Sequence, residues 1–589
     1  MKKFLKKLLV LAAVVTVGII AGLSVSNNYS IPQPQQLSLQ SKPSWIGLYL
    51  SGQHAVRTND YSKASEFFSE SLEARSADPE LDSQVLELLI ASGQYEKALK
   101  LANKVNLTDK SSSAGLLLYA DKLKDENYNG AVAALEKLSI EAKSTVIHKI
   151  LLAWAQLGAK QNTEALATMA SLEKQGYFQV LINFNYALIA ETAGDDAKAA
   201  ELYKTLINST TGKVPAKIAE NAYRFFNKTG DEESKKRILE SGNKVSNFEN
   251  QANPPSIRIA AADSLNEVAT MLLSEQNFSK ATVFFRIGLL INPSNEEALM
   301  LLATILAHEK DYNASNEILA AIPEKSQFYF ESQMAIAQNY VELKNEISAK
   351  NILEELSEVK SIRIEALMTL GDLSRQHEDF AAANKFYTEA IDSIAEYSGS
   401  RDKTAYWPLY FARAVTFERL KKWEEAEEDF NKALSLQPNQ PDVLNYYAYS
   451  LLDMNMESRY AEAKTMLLKA LDENPDDTHI IDSIGWAWFK MGDYQKAVKH
   501  LEKAASNMPY DPTVNEHLGD VYWKLGRENE ARFAWERALK NKPEERFVQE
   551  LKDKLENGLD YKKAENDITP AGTNITPRVE LEVHDSSTR

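Results

Sequence analysis

The side chains able to do chemistry in this chain are few, and they do not converge. Its eight histidines are His54, His148, His308, His377, His479, His500, His517 and His584. None has a histidine three or four residues away, the spacing that would place two ligands on one helical face. His517 stands beside Glu516 and near Asp520 and hints at a metal site, but a solvated helix face accounts for the trio better. No glycine-rich phosphate loop is present. Cysteine is absent, which removes disulfides, thiolate metal sites and a lipid-modified cysteine after an export signal. No catalytic, metal or cofactor site is therefore expected. What remains is a stripe, Asp482, Trp486 and Lys490, at spacings of four on one helical face. An aromatic flanked by charges has the composition of an interface hot spot rather than of a reaction centre.

The element that must carry such a stripe follows from a period. Ala64, Ala98, Ala131, Ala165 and Ala199 are 34, 33, 34 and 34 residues apart; Ala281, Ser315, Ala349 and Ala383 are 34 apart; so are Ala463, Ala497 and Ala531. A period of this length marks units that bury their apolar faces only by stacking on neighbours. The 43-residue step from Ala383 to Ala426 predicts an insertion near residues 396–404, and the 37-residue step to Ala463 another near 454–458. Around Ala497 the chain has Gly485, Trp488, Gly492-Asp493-Tyr494, Leu501, Ala504 and Pro509; one period on it has Gly519, Tyr522, Gly526, Trp535, Ala538 and Pro543. Gly485 and Ala497 would let two helices approach closely, and Gly-Asp would supply the turn between them.

These residues resemble the tetratricopeptide repeat. The resemblance covers about 85% of the chain and implies an all-α fold, a right-handed superhelix of about fourteen helix-turn-helix units. It places Trp488, Tyr522 and Trp535 in the core. The unit near Gly230-Asp231 is expected to be poor, lacking the aromatic and the alanine. In this family ligands lie against the first helices, which maps the binding groove onto Asn445, Tyr449, Asp482, Trp486, Phe489, Lys490, Glu516, Asp520, Trp523 and Lys524. The competing placement puts Trp486 and Trp523 between adjacent repeats. The carboxylate clamp of chaperone-binding relatives is not recognisable, and the acids of the last repeats favour a partner with basic or aromatic side chains.

Composition fits the same class. Hydrophobic residues make up 44% of 589, while 22 glycines and 18 prolines are few, as helices require. A net charge of −17 argues against nucleic acid as partner. Lys2, Lys3, Lys6 and Lys7 precede an apolar run from Leu8 to about Val25, the pattern of an export signal. Cleavage after Ser26 and retention as a membrane anchor both remain open, since about twenty apolar residues span a bilayer.

The expected organisation is a signal or anchor at 1–26, a flexible linker at 27–44, and a first array at 45–246. A hinge comes next at 247–256, then a second array at 257–543, a capping helix at 544–559 and a disordered tail at 560–589. The cap is read from Phe547, Leu551 and Leu555 at spacings of four. The reading is a non-catalytic scaffold that binds other proteins, resembling bacterial cell-envelope tetratricopeptide proteins and held at or beyond the inner membrane, soluble in the periplasm or anchored through its N-terminal segment. The alternatives are an assembly factor for an outer-membrane protein, pilus or exported polysaccharide, and an enzyme with a cryptic site near 208–255.

Overall fold

Local turn chemistry cuts this chain into short helices. Asn127, Asn277, Asn295, Asp311, Asn345, Asp493 and Asp511 each cap a helix, the side chain accepting from a backbone N–H three residues on. Several of these caps come directly after a left-handed residue. Gly492 meets that demand with φ +80°. Lys310 (φ 66°) and Lys344 (φ 57°) adopt it without being glycine, so no glycine pattern marks those turns in the sequence.

The computed structural model describes residues 44–58, 61–74, 79–104, 112–172, 176–209, 213–242, 253–397 and 403–559. Among these residues the fold is all-α, without a strand. Consecutive helices pair along the chain, from Trp45–Arg57 with Tyr61–Ala74 to Pro512–Lys524 with Glu528–Lys540. Tyr329–Glu342 and Glu346–Ser357 flank the division between two compact units, which falls between Lys344 and Asn345. The periodic small residues are the pairing points. Ala98, Ala165, Ala281, Ala349, Ala463 and Ala497 are wholly buried, and Ser315 nearly so. At Gly485 a Cβ would come within 2.6 Å of Leu501, so the close approach expected there is real.

The first unit departs from a simple stack. The pair Ile257–Ser274 and Phe278–Ile291 does not open a second array. It folds back onto the first helices of earlier pairs, Pro79–Ala91, Ser112–Lys124 and Val146–Gly158. Tyr95 donates to the Arg286 carbonyl at 2.8 Å, and Arg286 Nε donates to the Ala91 carbonyl at 3.0 Å. Trp154 and Ser264 both donate to Asn185 Oδ1, at 2.9 and 2.6 Å. Buried polar contacts thus tie 257–291 to helices far upstream in the chain, within the first compact unit. The unit near Gly230-Asp231 is also better formed than its pattern suggests. Phe225 and Phe226 pack edge-on against each other, Phe226 also edge-on to Tyr203 and Phe225 tilted against it, and Ser234 is buried where an alanine was sought.

In the second unit an aromatic core of Phe411, Phe430, Tyr446 and Tyr447 joins successive pairs, with Phe430 stacked on Tyr447 at 5.1 Å. The extra residues near 454–458 form a turn and a short 3-10 helix, Glu457–Arg459. Arg459 then reaches Glu427 at 2.5 Å and the Tyr447 hydroxyl at 2.9 Å. The last described helix of this unit is Glu545–Asn557, which packs on Glu528–Lys540. The segments 1–26 and 560–589, most of 27–44 and most of the 247–256 hinge lie outside the described residues. Among the described residues no helix is long and apolar enough to cross a membrane.

Candidate protein-binding groove

The first helices of the second unit's pairs, Arg363–Gln376, Trp407–Arg419, Pro441–Asp453, Thr478–Lys490 and Pro512–Lys524, line an open groove of about 560 Å³. Arg375 and Arg419 stand at the C-terminal ends of two of these helices, where a cation is favoured by the carbonyl-rich end. Tyr446 and Tyr449 form part of the floor. Tyr510, Lys542 and Phe547 form the far wall. Tyr510 is 79% exposed, an aromatic ring held open to solvent.

The residues mapped to the groove divide into three groups. Tyr449, Asp482 and Glu516 do line it, but each is buried at its edge rather than displayed. Asn445 and Trp486 are buried, at 3% and 6% exposure, and Phe489 and Lys490 are half-buried. Trp486 stacks on Phe489 at 4.8 Å and on His517 at 4.1 Å, with the Lys490 ammonium 4.9 Å from the centre of its ring. This indole therefore joins two neighbouring repeats and does not stand on an exposed face. Of the two placements expected for Trp486, its burial and its stacking on His517 of the next first helix fit the one between adjacent repeats. Asp520 is buried and Trp523 half-buried beneath the closing helix; Lys524 is half-buried beside them. The core placement holds for Trp535, which is fully buried, whereas Trp488 and Tyr522 are half-buried. The ammonium groups of Lys464 and Lys496 lie 4.7 and 4.3 Å from the centre of the Trp488 ring.

His517 is not on a solvated face. It is 2% exposed, its Nδ1 lies 3.0 and 3.2 Å from the two Asp482 oxygens, and its Nε2 is 3.4 Å from the Tyr449 hydroxyl. Burial pushes its pKa down, but Asp482, with Glu516 and Asp520 behind it, outweighs burial and raises it. Aspartate and histidine stand 35 residues apart, so the pair crosses the seam between repeats and escapes any search within one helix. Among the described residues no cluster of histidine and acids is arranged to hold a metal ion.

The closing helix brings a further cation. Lys554 Nζ donates to Glu516 Oε1 at 2.7 Å and to Asp520 Oδ2 at 3.0 Å, while Trp535 Nε1 donates to Asp520 Oδ1 at 2.8 Å. Burial opposes the charge on Lys554, yet Asp520, Glu516 and Glu550 hold its pKa above the ordinary lysine value. The basic partner expected for these acids is thus already supplied by the chain itself. Lys554 lies on the same helical face as Leu551, which is the signal that would have found it.

In the first unit a smaller cavity of about 160 Å³ touches the segment considered for an enzyme site, through Lys217, Glu220, Asn221 and Pro255. Lys217 is ion-paired there, 3.0 Å from Asp263 and 2.9 Å from Glu267, and these acids raise its pKa against the effect of burial. Its charge there is matched by these two acids.

Comparison with known proteins gives three tetratricopeptide matches. Residues 406–515 match the tetratricopeptide domain of cytochrome c-type biogenesis protein H, and residues 489–555 and 150–213 match two further tetratricopeptide repeat models. The TPR repeat-containing protein PA4667 of Pseudomonas aeruginosa is 34% identical over 93 residues, which are 16% of this chain and 15% of that protein. Among solved structures, the APC/C hetero-tetramer Cut9-Hcn1 is 14% identical with a TM-score of 0.37, covering 87% of this chain and 96% of that one. Yeast Tom70 is 15% identical with a TM-score of 0.28, covering 87% and 95%. With matches in both units and paired helices meeting at the periodic small residues, the chain carries tetratricopeptide repeats, domains that in general serve as scaffolds for binding other proteins.

Proposed function

We propose that this scaffold is non-catalytic and receives segments of partner proteins in the groove of its second unit. The observation that carries this is the open groove of about 560 Å³ itself, lined by aromatics and by both signs of charge. In the first unit, by contrast, the helices that would line such a groove are covered by the chain's own pair 257–291. Aromatic side chains beside arginine are the groups that dominate protein interfaces. Tyr510→Ala and Lys542→Glu change side chains on the groove wall, so both variants should melt as the parent does. Each should reduce the partners recovered by proximity labelling in cells. Undiminished recovery from both variants would remove the groove as the binding face.

The scaffold works at or beyond the cytoplasmic membrane in this reading, which rests on the lysines and apolar run of residues 2–25. A reporter active only outside the cytoplasm, fused after Leu559, should be active and should fall silent when residues 1–25 are removed. Carbonate extraction separates a retained anchor from a cleaved signal. A second reading, an assembly factor for an exported envelope product, is favoured by the match of residues 406–515 to a biogenesis protein's domain, since that segment contains much of the groove. Partners labelled only while such a product is being made would favour it over a permanent scaffold.

A further inference from the structure

The closing helix, Glu545–Asn557, is held unlike the others. Of its described side chains only Leu551 and Lys554 are buried, and it packs chiefly on Glu528–Lys540. Its strongest polar contacts run from Lys554 to Glu516 and Asp520, two acids on the first helix of the last pair. A buried lysine is a poor way to gain stability, because stripping water from the ammonium offsets much of the attraction; it is a good way to fix which segment sits there, and in what register. Leu551, Leu555 and Leu559 pack with Trp523 and Trp535 around the same place. The backbone beyond the helix also lies close, with Gly558 pressed against the Trp523 indole. An amphipathic helix laid along a groove, with anchors at spacings of four, is a general mode of protein recognition.

We propose that Glu516 and Asp520, with Trp523 beside them, form a seat for one lysine of an amphipathic helix. The chain's own last helix fills this seat, and a partner protein with an apolar face and a lysine matched to Lys554 exchanges with it. Two features suit the helix to exchange: it comes after Lys542-Pro543, Lys542 being left-handed at φ 56°, and of its described side chains only Leu551 and Lys554 are buried. This rests on the second unit being the binding unit, and it adds both the chemistry of the partner and a restraint on access. A ligand competing with an internal segment binds more weakly by the fraction of time the seat is open.

The test uses the full chain and a labelled synthetic peptide of residues 544–559 as probe. Leu551→Ala with Lys554→Ala loosens the internal helix, and the peptide should bind this double variant at least about tenfold tighter than the parent. A peptide carrying Lys554→Glu should not bind. Adding Glu516→Gln and Asp520→Asn to the loosened chain should abolish binding of the unchanged peptide. Equal affinity for parent and loosened chain, or indifference to the lysine, would overturn the proposal. So would a loosened chain whose second unit no longer melts cooperatively, because the helix would then be an integral part of the stack. Peptide binding that survives Tyr510→Ala, when partner labelling does not, tells this seat apart from the wider groove.

Discussion

Replacing Trp486 with alanine separates the two roles its position allows. The indole is 6% exposed and lies between Phe489 and His517, with ring separations of 4.8 and 4.1 Å and interplanar angles of 8° and 14°. Removing a buried tryptophan costs about 3–5 kcal/mol. Part of that is returned, because Trp486 Nε1 is buried without a hydrogen-bond partner, and burying such a group carries a penalty of roughly 1–3 kcal/mol. The expected net loss is centred on about 2 kcal/mol and at most about 4, confined to the second unit. A two-unit chain does not melt in one step, so a single unfolding free energy is not defined. Hydrogen exchange resolved by peptide is the suitable assay. Amides of Pro441–Asp453, Thr478–Lys490 and Pro512–Lys524 should exchange faster by roughly one to two orders of magnitude, about tenfold per 1.4 kcal/mol, while amides of the first unit keep their rates. Unchanged exchange in those three helices, together with lost partner binding, would mean that the indole is a groove side chain and that the seam assignment is mistaken.

Three further changes test the packing. Ala497→Phe puts a ring where the small side chain is wholly buried against the paired helix, and overpacking of this kind should destabilise the second unit by roughly 1–3 kcal/mol, read from its thermal melt. Arg224→Ala leaves Glu191 buried with only the Tyr203 hydroxyl to serve it, where the Arg224–Glu191 pair is now 2% and 1% exposed; a loss of about 3–5 kcal/mol in the first unit is expected, and Arg224→Met with Glu191→Gln should recover much of it. His517 gives a pH dependence. Its folded pKa is raised above the ordinary histidine value, so its contribution is complete below about pH 6.5 and is lost as pH rises through the folded value. The second unit should therefore melt at a lower temperature above that window than below it, and His517→Asn should flatten this slope; an unchanged slope in the variant would assign the pH dependence elsewhere.

One physical difference separates the features legible in the sequence from those hidden in it. The small residues report contact between paired helices, a local demand that each repeat must meet alone, and so Ala98, Ala281 and Ala497 announced the fold. Even the weak repeat at Gly230 obeyed it once serine is admitted at the buried position. The groove depends instead on how successive repeats are turned against one another, which no single repeat encodes. Asp482 reaches His517 across 35 residues, Lys554 reaches Glu516 across 38, and Arg286 reaches the Ala91 carbonyl across 195. Each is a polar side chain satisfied by a neighbour that periodicity does not point to.

The same difference explains why acids and aromatics at the mapped positions were legible as a group but not by role. Asp482, Glu516 and Asp520 occupy the places where a partner's cations were expected, and each is already met from within the chain: Asp482 by an imidazole from the next repeat, Glu516 and Asp520 by an ammonium from the closing helix. Buried carboxylates must be paired, whatever supplies the charge. A stripe of acids on a first helix therefore establishes only that something basic covers it. Whether that cover belongs to the chain or to a partner depends on the length and amphipathicity of the segment after the last repeat. Here Phe547, Leu551, Lys554 and Leu555 on one face of a thirteen-residue helix answer for Glu516 and Asp520. An open groove in this unit runs from Arg375 and Arg419 to Tyr510 and Lys542, which no position-by-position mapping of single repeats could have drawn, because its two ends come from different repeats, one from helix C-termini and the other from the loops beyond later pairs.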